Sequence, residues 1–93
     1  MTIQYQESKY GGVFFQEQDG QRVAEITYRW RDTQTIVADH TWVDPSLRGQ
    51  GAAKILLDAL VAFAREKRLK IIPVCSYVEV MFRRDRSFAD VAV

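Results

Sequence analysis

A glycine-rich segment between a predicted strand and a predicted helix is the part of the sequence best suited to binding an anion. The segment consists of Arg48-Gly49-Gln50-Gly51-Ala52-Ala53, and Lys54 follows it. The first turn of a helix has unpaired amides and partial positive charge, and glycine lets an anion approach the backbone. We therefore predict a pyrophosphate-binding loop flanked by cationic side chains. The alternative is a glycine-rich helix start that only permits a tight turn.

The single cysteine and the single histidine are the candidates for catalysis. Cys75 stands where a predicted strand meets a predicted helix, and a helix N-terminus favours a thiolate, which suits a nucleophile or a proton donor. The alternative role is a small buried residue at the end of the strand. His40 lies on a strand beside the loop and could act as a general base, because imidazole ordinarily exchanges protons near neutral pH. The alternative is a histidine held by hydrogen bonds within the sheet.

The alternation of side chains along this strand predicts which face the neighbours of His40 occupy. Because side chains alternate along a strand, Asp39 and Thr41 are expected on the face opposite to His40. No acidic residue is expected at an equivalent place on the neighbouring strand. A working pair between His40 and Cys75 is possible, but the sequence does not provide the distance between them.

Aromatic residues near these candidates have two interpretations each. Trp30 and Trp42 could line a ligand groove, although large aromatic residues on strands are usually core or sheet cover. Tyr77 either closes over a ligand or packs the second helix, and the sequence does not choose between these roles.

The first half of the chain predicts strands. An apolar run at 13–16 precedes the turn signal Asp19-Gly20, and residues 24–30 alternate between apolar and polar side chains. A third strand is predicted over Thr35–Val43, with burial on both faces near its end. Pro45 then breaks the pattern, because it cannot donate to a strand ladder.

The second half predicts mostly helices. Helical spacing of apolar residues after Gly51 predicts a long amphipathic helix, at Ala52, Ile55, Leu56, Ala59, Leu60, Phe63 and Ala64. Residues 70–74 are predicted as a short buried strand, placed parallel to the third strand by a right-handed crossover. A second helix is predicted over 77–84, followed by a short helix that Ser87 caps.

Composition limits the class of protein. The chain has 93 residues, which we interpret as one domain over 1–93, with 13 Lys+Arg, 12 Asp+Glu and a net charge of +1. This balance argues against a nucleic-acid partner. One cysteine permits no intrachain disulfide, which fits a cytoplasmic protein. The N-terminus does not match a signal peptide, and residues 55–64 are too short to span a membrane, so no membrane partner is expected.

Two segments together resemble the GNAT superfamily of N-acetyltransferases. The superfamily's cofactor loop has the pattern Arg/Gln-x-x-Gly-x-Gly/Ala, which Arg48, Gly51 and Ala53 match. A minimal single-domain branch also has a Pro-x-Cys-Ser-Tyr segment after the next strand, which residues 73–77 match. The resemblance extends from about Gly20 to the C-terminus. It implies an α/β fold with a mixed antiparallel and parallel sheet, a long helix after the loop and short C-terminal helices.

The resemblance also implies acetyl-CoA as co-substrate, in a V-shaped opening between strands around 41–43 and 71–74. It implies that the pyrophosphate end of the cofactor is bound by Arg48, Gly49, Gln50, Gly51, Ala52, Ala53 and Lys54. It places the pantetheine arm on Thr41, Trp42 and Val43, and it makes Cys75 and His40 the catalytic candidates. No metal is expected, and the protein is expected to be a monomer or a weak homodimer.

The acceptor implied by the resemblance is a primary amine, either on a small molecule or on a protein lysine or N-terminus. The chain has no room for the two N-terminal helices that normally wall the acceptor site, and no Glu is expected near the cleft strands. These two departures favour an alternative function, an acyl-CoA-binding module with little or no catalysis.

Overall fold

In the computed structural model, which describes residues 2–93, five strands form one sheet in chain order. They are β1 (Gln4–Glu7), β2 (Gly11–Gln18), β3 (Gln21–Asp32), β4 (Thr35–Val43) and β5 (Lys70–Pro73). The first four pair antiparallel to their neighbours, and β5 pairs parallel to β4. The predicted α/β fold with a mixed sheet is confirmed.

Two α-helices follow the antiparallel strands. Helix α1 spans Ala52–Lys67 and helix α2 spans Ser76–Arg84, with short 3-10 turns at Pro45–Leu47 and Arg86–Phe88. Helix α1 crosses from β4 to β5, which provides the long connection that a parallel strand pair requires. None of the helices among the described residues is long and apolar enough to cross a membrane.

The core lies between one face of the sheet and α1. Strand β3 buries Ala24, Ile26 and Tyr28, the alternate residues on that face. The opposing stripe of α1 is also buried and comprises Leu56, Leu57, Leu60, Val61 and Ala64. We call this side of the sheet the helix face and the other side the outer face.

Strand β1 was not predicted from the sequence. Its residues Gln4–Glu7 are exposed and mostly polar, so they show no apolar alternation. The strand forms because the backbone of β2 pairs with it, from Gln4 opposite Phe15 to Glu7 opposite Gly12. A partner strand, and not local sequence, therefore defines this element.

Three local predictions were wrong. Helix α1 buries Leu57 and Val61, which were not in the predicted apolar stripe, and leaves the predicted Ile55 exposed. Strand β4 is buried near its start, at Ile36, Val37 and Ala38, and not near its end, because β5 covers only the first part of β4. The last 3-10 turn is capped by Asp85 and not by Ser87. The Asp85 carboxylate accepts a hydrogen bond from the Ser87 amide at 2.9 Å. Hydrogen bonding from the Ser87 hydroxyl is the main cause that lowers the pKa of Asp85, and the bond from the amide adds to it.

Candidate functional site

The edge of β4 is open along its second half. Pairing between β4 and β5 runs from Thr35 opposite Lys70 to Ala38 opposite Pro73. The amides of Val74 and Cys75 then both donate to the Ala38 carbonyl, at 3.1 and 2.8 Å, which turns the chain away from β4. From residue 39 to 43, β4 has a strand neighbour only on its β3 side. Backbone groups on the other side are available to a ligand.

The loop between β4 and α1 is shaped by two glycines in the left-handed region. Gly49 has φ = 83° and Gly51 has φ = 78°, a conformation that costs other residues about 1–2 kcal/mol. The preceding turn is fixed by Asp44, whose carboxylate accepts from the Ser46 hydroxyl at 2.5 Å and from the Ser46 amide at 3.0 Å. These bonds, the hydroxyl first, lower the pKa of Asp44.

Helix α1 begins without a side-chain cap. Its N-cap residue is Gly51, and its first turn contains no acidic residue. The Gly51 carbonyl accepts the amide of Ile55 at 3.1 Å, whereas the amides of residues 51–54 have no backbone acceptor within 2–93. Unpaired amides and the positive end of a 16-residue helix therefore remain available to an anion.

These amides border a cavity of about 270 Å³. Its walls are Val43, Leu47, Arg48, Gly49, Gly51, Ala52, Ala53, Lys54 and Tyr77. The structure therefore brings most of the sequence-predicted cofactor residues together around one space. Leu47 and Tyr77 were not among them: Leu47 has no signal beyond its apolar side chain, and the position of Tyr77 depends on how α2 packs.

Of the three ionisable side chains that line this cavity, Lys54 and Tyr77 have defined partners or surroundings. The Lys54 Nζ donates to both Asp58 carboxylate oxygens, at 2.9 and 3.0 Å, and this hydrogen bonding raises the pKa of Lys54. Burial raises the pKa of Tyr77, so its hydroxyl is a weaker acid than that of an exposed tyrosine. The cavity therefore has a cation and a hydroxyl donor on opposite elements, α1 and α2.

Three predicted cofactor residues do not line this cavity. Gln50 stabilises the loop, because its amide donates to the Leu47 carbonyl at 3.2 Å and its side chain donates to the Ser46 carbonyl at 3.4 Å. Trp42 lies opposite Glu25 in the β3–β4 register and therefore points to the outer face. Thr41 points to the helix face, where it contacts Cys75.

Cys75 lies at the point where β5 ends and α2 begins. It is the N-cap residue of α2, and its thiol donates to the Thr41 Oγ1 at 3.2 Å. This contact joins α2 to the open half of β4, and the side chain is partly exposed. The thiol is thus beside the edge of β4 predicted to hold the pantetheine arm.

A β-bulge places His40 and Asp39 on the same face of the sheet. Thr27 is opposite His40 and Tyr28 is opposite Ala38, so Asp39 is an extra residue without an opposite partner. The prediction that Asp39 points away from His40 was therefore wrong, because the bulge interrupts the alternation. Thr41 points to the opposite face from His40, as the alternation predicts.

The structure does not bring His40 and Cys75 together. His40 is on the outer face, where its Nε2 lies 3.2 Å from Oε2 of Glu25. Cys75 is on the helix face with Thr41. The expectation that no acidic residue neighbours the cleft strands was also wrong, because β3 places Glu25 beside the ring. Only the register of β3 against β4 reveals this neighbour.

The described part of the chain, residues 2–93, contains no group of three His, Cys, Asp or Glu side chains that could hold a metal ion. The groups available for chemistry are instead a thiol, an imidazole, a half-buried phenol and a set of backbone amides. Such a set can bind an anion, move protons and supply a sulfur nucleophile.

A family model described as GCN5-related N-acetyl-transferase matches residues 13–91, so the chain belongs to this family. A GCN5-like protein from Staphylococcus aureus shares 38% identity with it, with a TM-score of 0.76, and the match covers 97% of this chain and 87% of that one. The chain matches none of the curated proteins to which it was compared.

Larger solved structures share the fold. An acetyltransferase structure from Clostridium acetobutylicum with acetyl-CoA has 23% identity, a TM-score of 0.66 and coverage of 81% of this chain and 56% of that one. A GNAT family acetyltransferase from Elizabethkingia anophelis with acetyl-CoA bound has 15% identity, a TM-score of 0.64, and coverage of 81% and 52%. This chain thus spans about half the length of these larger proteins.

Proposed function

We propose that the protein transfers the acetyl group of acetyl-CoA to a primary amine, on a small molecule or on a protein lysine or N-terminus. One observation supports this most: the uncapped start of α1, with free amides at 51–54, lines a cavity next to the open edge of β4. Membership of the family supports acetyl transfer to nitrogen. The two larger structures with acetyl-CoA support the choice of donor.

The binding proposal assigns a part of the donor to each element. The amides of residues 51–54 would hold the pyrophosphate, with Arg48 and Lys54 adding positive charge. The open backbone of Thr41, Trp42 and Val43 would pair with the amide groups of the pantetheine arm, as an added strand would. The thioester would then lie near the Cys75 thiol.

Two chemical routes are compatible with this placement. In the direct route the amine attacks the acetyl carbonyl, the carbon–sulfur bond breaks, and Cys75 or Tyr77 gives a proton to the CoA sulfur. The proton that the amide nitrogen then loses restores the donor. In the covalent route Cys75 sulfur attacks the carbonyl and CoA leaves as a thiol. The amine then takes the acetyl group from Cys75, and the cysteine thiol re-forms. His40 would accept the proton of the incoming ammonium in either route.

The alternative function is an acyl-CoA-binding module with little or no catalysis. The position of His40 on the face opposite to Cys75 favours it, because the two groups cannot act as a thiolate–imidazole pair. Binding without acetyl transfer, over a broad panel of amines and peptides, would select this alternative.

The first experiment tests donor binding by thermal denaturation. Acetyl-CoA should raise the melting temperature, because a ligand that binds the native state stabilises it. Gly51→Glu should abolish the shift, since it places a carboxylate among the free amides. Gly20→Glu is the matched control, because Gly20 also has a positive φ, 77°, and open space around it, but lies in the β2–β3 turn. An undiminished shift in Gly51→Glu would remove the loop from the site.

The second experiment measures CoA release with amines, polyamines and lysine or N-terminal peptides as acceptors. Release that depends on the acceptor would establish transfer. We also propose a cytoplasmic location, because the partly exposed Cys75 thiol has to stay reduced to act. A monomer or weak homodimer stays a prediction, which sedimentation would test.

A further inference from the structure

We infer that Glu25 is a positioning residue that orients the His40 ring, so that Nδ1 accepts the proton of an acceptor amine arriving on the outer face. The inference rests on the proposed function, since it concerns the acceptor half of the same reaction. It is supported by the β4 bulge, by the contacts of the His40 ring and by the position of the ring at the open edge of β4.

The bulge is held by specific contacts. The Asp39 carboxylate accepts from Thr27 Oγ1 at 2.6 Å and from Arg29 at 3.2 Å. Both donors are on the outer face of β3, so Asp39 is fixed there. His40 follows directly on the same face, at the point where β4 loses its β5 neighbour. The ring is therefore presented at the open edge and not in the middle of the sheet.

Glu25 is itself held in place by a second contact. One of its oxygens lies 3.2 Å from His40 Nε2, and the other accepts from Arg22 at 3.0 Å. A carboxylate can only accept a hydrogen bond, so Glu25 at this distance favours the tautomer whose proton is on Nε2. A neutral His40 ring therefore has its lone pair on Nδ1. Within residues 2–93, Nδ1 has no hydrogen-bond donor, and about half of the side chain is exposed.

The surroundings determine what this pair can do. The charged groups on the outer face around His40 are Glu25 with Arg22 and Asp39 with Arg29, two carboxylates each paired with an arginine. Nδ1 takes a proton from R–NH3⁺ and leaves R–NH2, while the new imidazolium keeps its Nε2–H toward Glu25. The freed amine can then attack the acetyl carbonyl from the outer face, and the proton leaves Nδ1 for solvent.

Trp42 and the thiol define the two sides of this arrangement. Trp42 is two residues from His40 on the same face, directly opposite Glu25 in the register, and its side chain is 37% exposed. It adds apolar surface to the same face of the sheet. Cys75 and Thr41 lie on the helix face. The imidazole thus serves the acceptor from one face, and the thiol serves the donor from the other.

Nitrogen-15 NMR of the imidazole tests the positioning without any turnover. At a pH where the ring is neutral, wild-type His40 should be protonated on Nε2. Glu25→Ala should lose this preference, whereas Glu25→Gln, which keeps an acceptor oxygen, should retain part of it. Glu17→Gln removes an exposed carboxylate elsewhere on the sheet, bonded to Gln4, and should change nothing. A wild-type ring protonated on Nδ1, or a tautomer unaffected in Glu25→Ala, would overturn the inference.

Kinetics test the consequence of the positioning. Glu25→Ala should lower kcat by about 10–100-fold with the acetyl-CoA affinity unchanged, as expected for a residue that orients another. Glu25→Gln should recover part of this loss. Adding Glu25→Ala to His40→Gln should cost nothing more, because the two residues act as a unit. Independent, multiplying losses would overturn the inference while leaving acetyl transfer established. A wild type that binds acetyl-CoA but acetylates no acceptor would instead defeat the proposed function.

Discussion

Cys75 and Thr41 form a contact that suits both protonation states of the thiol. A hydroxyl can accept from S–H and can also donate to a thiolate, because its proton rotates to suit its partner. The 3.2 Å contact therefore keeps the sulfur beside the open half of β4 in either state. The amide of Cys75 is held as well, by the Ala38 carbonyl at 2.8 Å. Both contacts come from β4, so this strand fixes the position of the sulfur.

Cys75→Ala should bind acetyl-CoA but lose most of the turnover, since it removes the sulfur and leaves the loop at 49–54 unchanged. Incubation of the wild type with acetyl-CoA should acetylate Cys75, which intact-mass measurement detects, or should slow its labelling by iodoacetamide. Thr41→Val is the companion variant: it keeps the shape of the side chain and removes the contact to sulfur. Normal turnover in Cys75→Ala, with an unreactive thiol in both states, would make Cys75 a packing residue.

Tyr28 is a second residue whose protonation is set by the fold, away from the candidate site. It is buried in the core, and its hydroxyl lies 2.6 Å from that of Tyr5. Burial is the main cause that raises the pKa of Tyr28, and the hydrogen bond to Tyr5 adds to it. The folded protein thus favours the neutral phenol, whereas the unfolded chain ionises at the ordinary value.

The sign of the pH dependence follows from this difference. Below about pH 10, the ordinary tyrosine pKa, the phenol is neutral in both states and the stability is fully present. Above it the unfolded state loses the proton and the native state keeps it, so stability falls, by at most about 1.4 kcal/mol per pH unit for one proton. Melting temperatures across the alkaline range should fall less steeply in Tyr28→Phe. Equal slopes would show that Tyr28 ionises freely in the fold.

At the scale of elements, the end of α1 shows how one backbone conformation stops a helix. Arg68 has φ = 57°, in the left-handed region, and its amide donates to the carbonyls of Ala64 and Arg65. The amide of Leu69 also donates to Ala64, at 2.8 Å. Glycine is the usual residue at such a position, because it has no Cβ to clash. Helix α1 ends here despite an unfavourable residue.

Arg68→Gly should therefore stabilise the protein, by up to about 1 kcal/mol, since relief of the strain is partly offset by greater freedom of the unfolded chain. Lys67→Gly is the matched control one position earlier. It is the last residue of the helix, and glycine there should destabilise by up to about 1 kcal/mol. Urea unfolding of the two variants should move the midpoint in opposite directions. A destabilising Arg68→Gly would mean that this side chain makes a contact worth more than the strain.

Elements with a local signal were predicted from the sequence, and those defined by a partner were not. Helix α1 and the Asp19-Gly20 turn, whose two residues have φ of 53° and 77°, follow from residues near in sequence. Strand β1 and the bulge at Asp39 depend on pairing with another strand. The glycine loop could therefore be placed from the sequence. The Glu25–His40 contact could not, because it depends on the register of β3 against β4, which the extra residue Asp39 shifts.

At the scale of the whole molecule, the C-terminal segment completes both the sheet and the core. The Ile71 amide of β5 donates to the Val91 carbonyl at 2.7 Å, and the Ile71 carbonyl accepts from the Val93 amide at 3.2 Å. The segment therefore pairs with the edge of β5 that faces away from β4. Phe88 and Val91 are buried in the same cluster as α1. The segment also reaches the candidate site, because Lys54 Nζ lies 5.6 Å from the centre of the Phe88 ring.

Phe88→Ala should therefore destabilise the whole domain, by about 3–5 kcal/mol, as expected when a buried aromatic ring is removed and leaves a cavity. Such a loss is a large fraction of the stability of a small domain. Asp90→Asn is the matched control from the same segment. It removes an exposed ion pair with Arg65, whose Nε and Nη2 bind the carboxylate at 2.9 and 3.0 Å, and should have little effect because exposed pairs contribute little. Urea unfolding followed by circular dichroism measures both. If the two variants lost similar stability, the segment would be held by surface charge, and its apolar contacts with the core would contribute little.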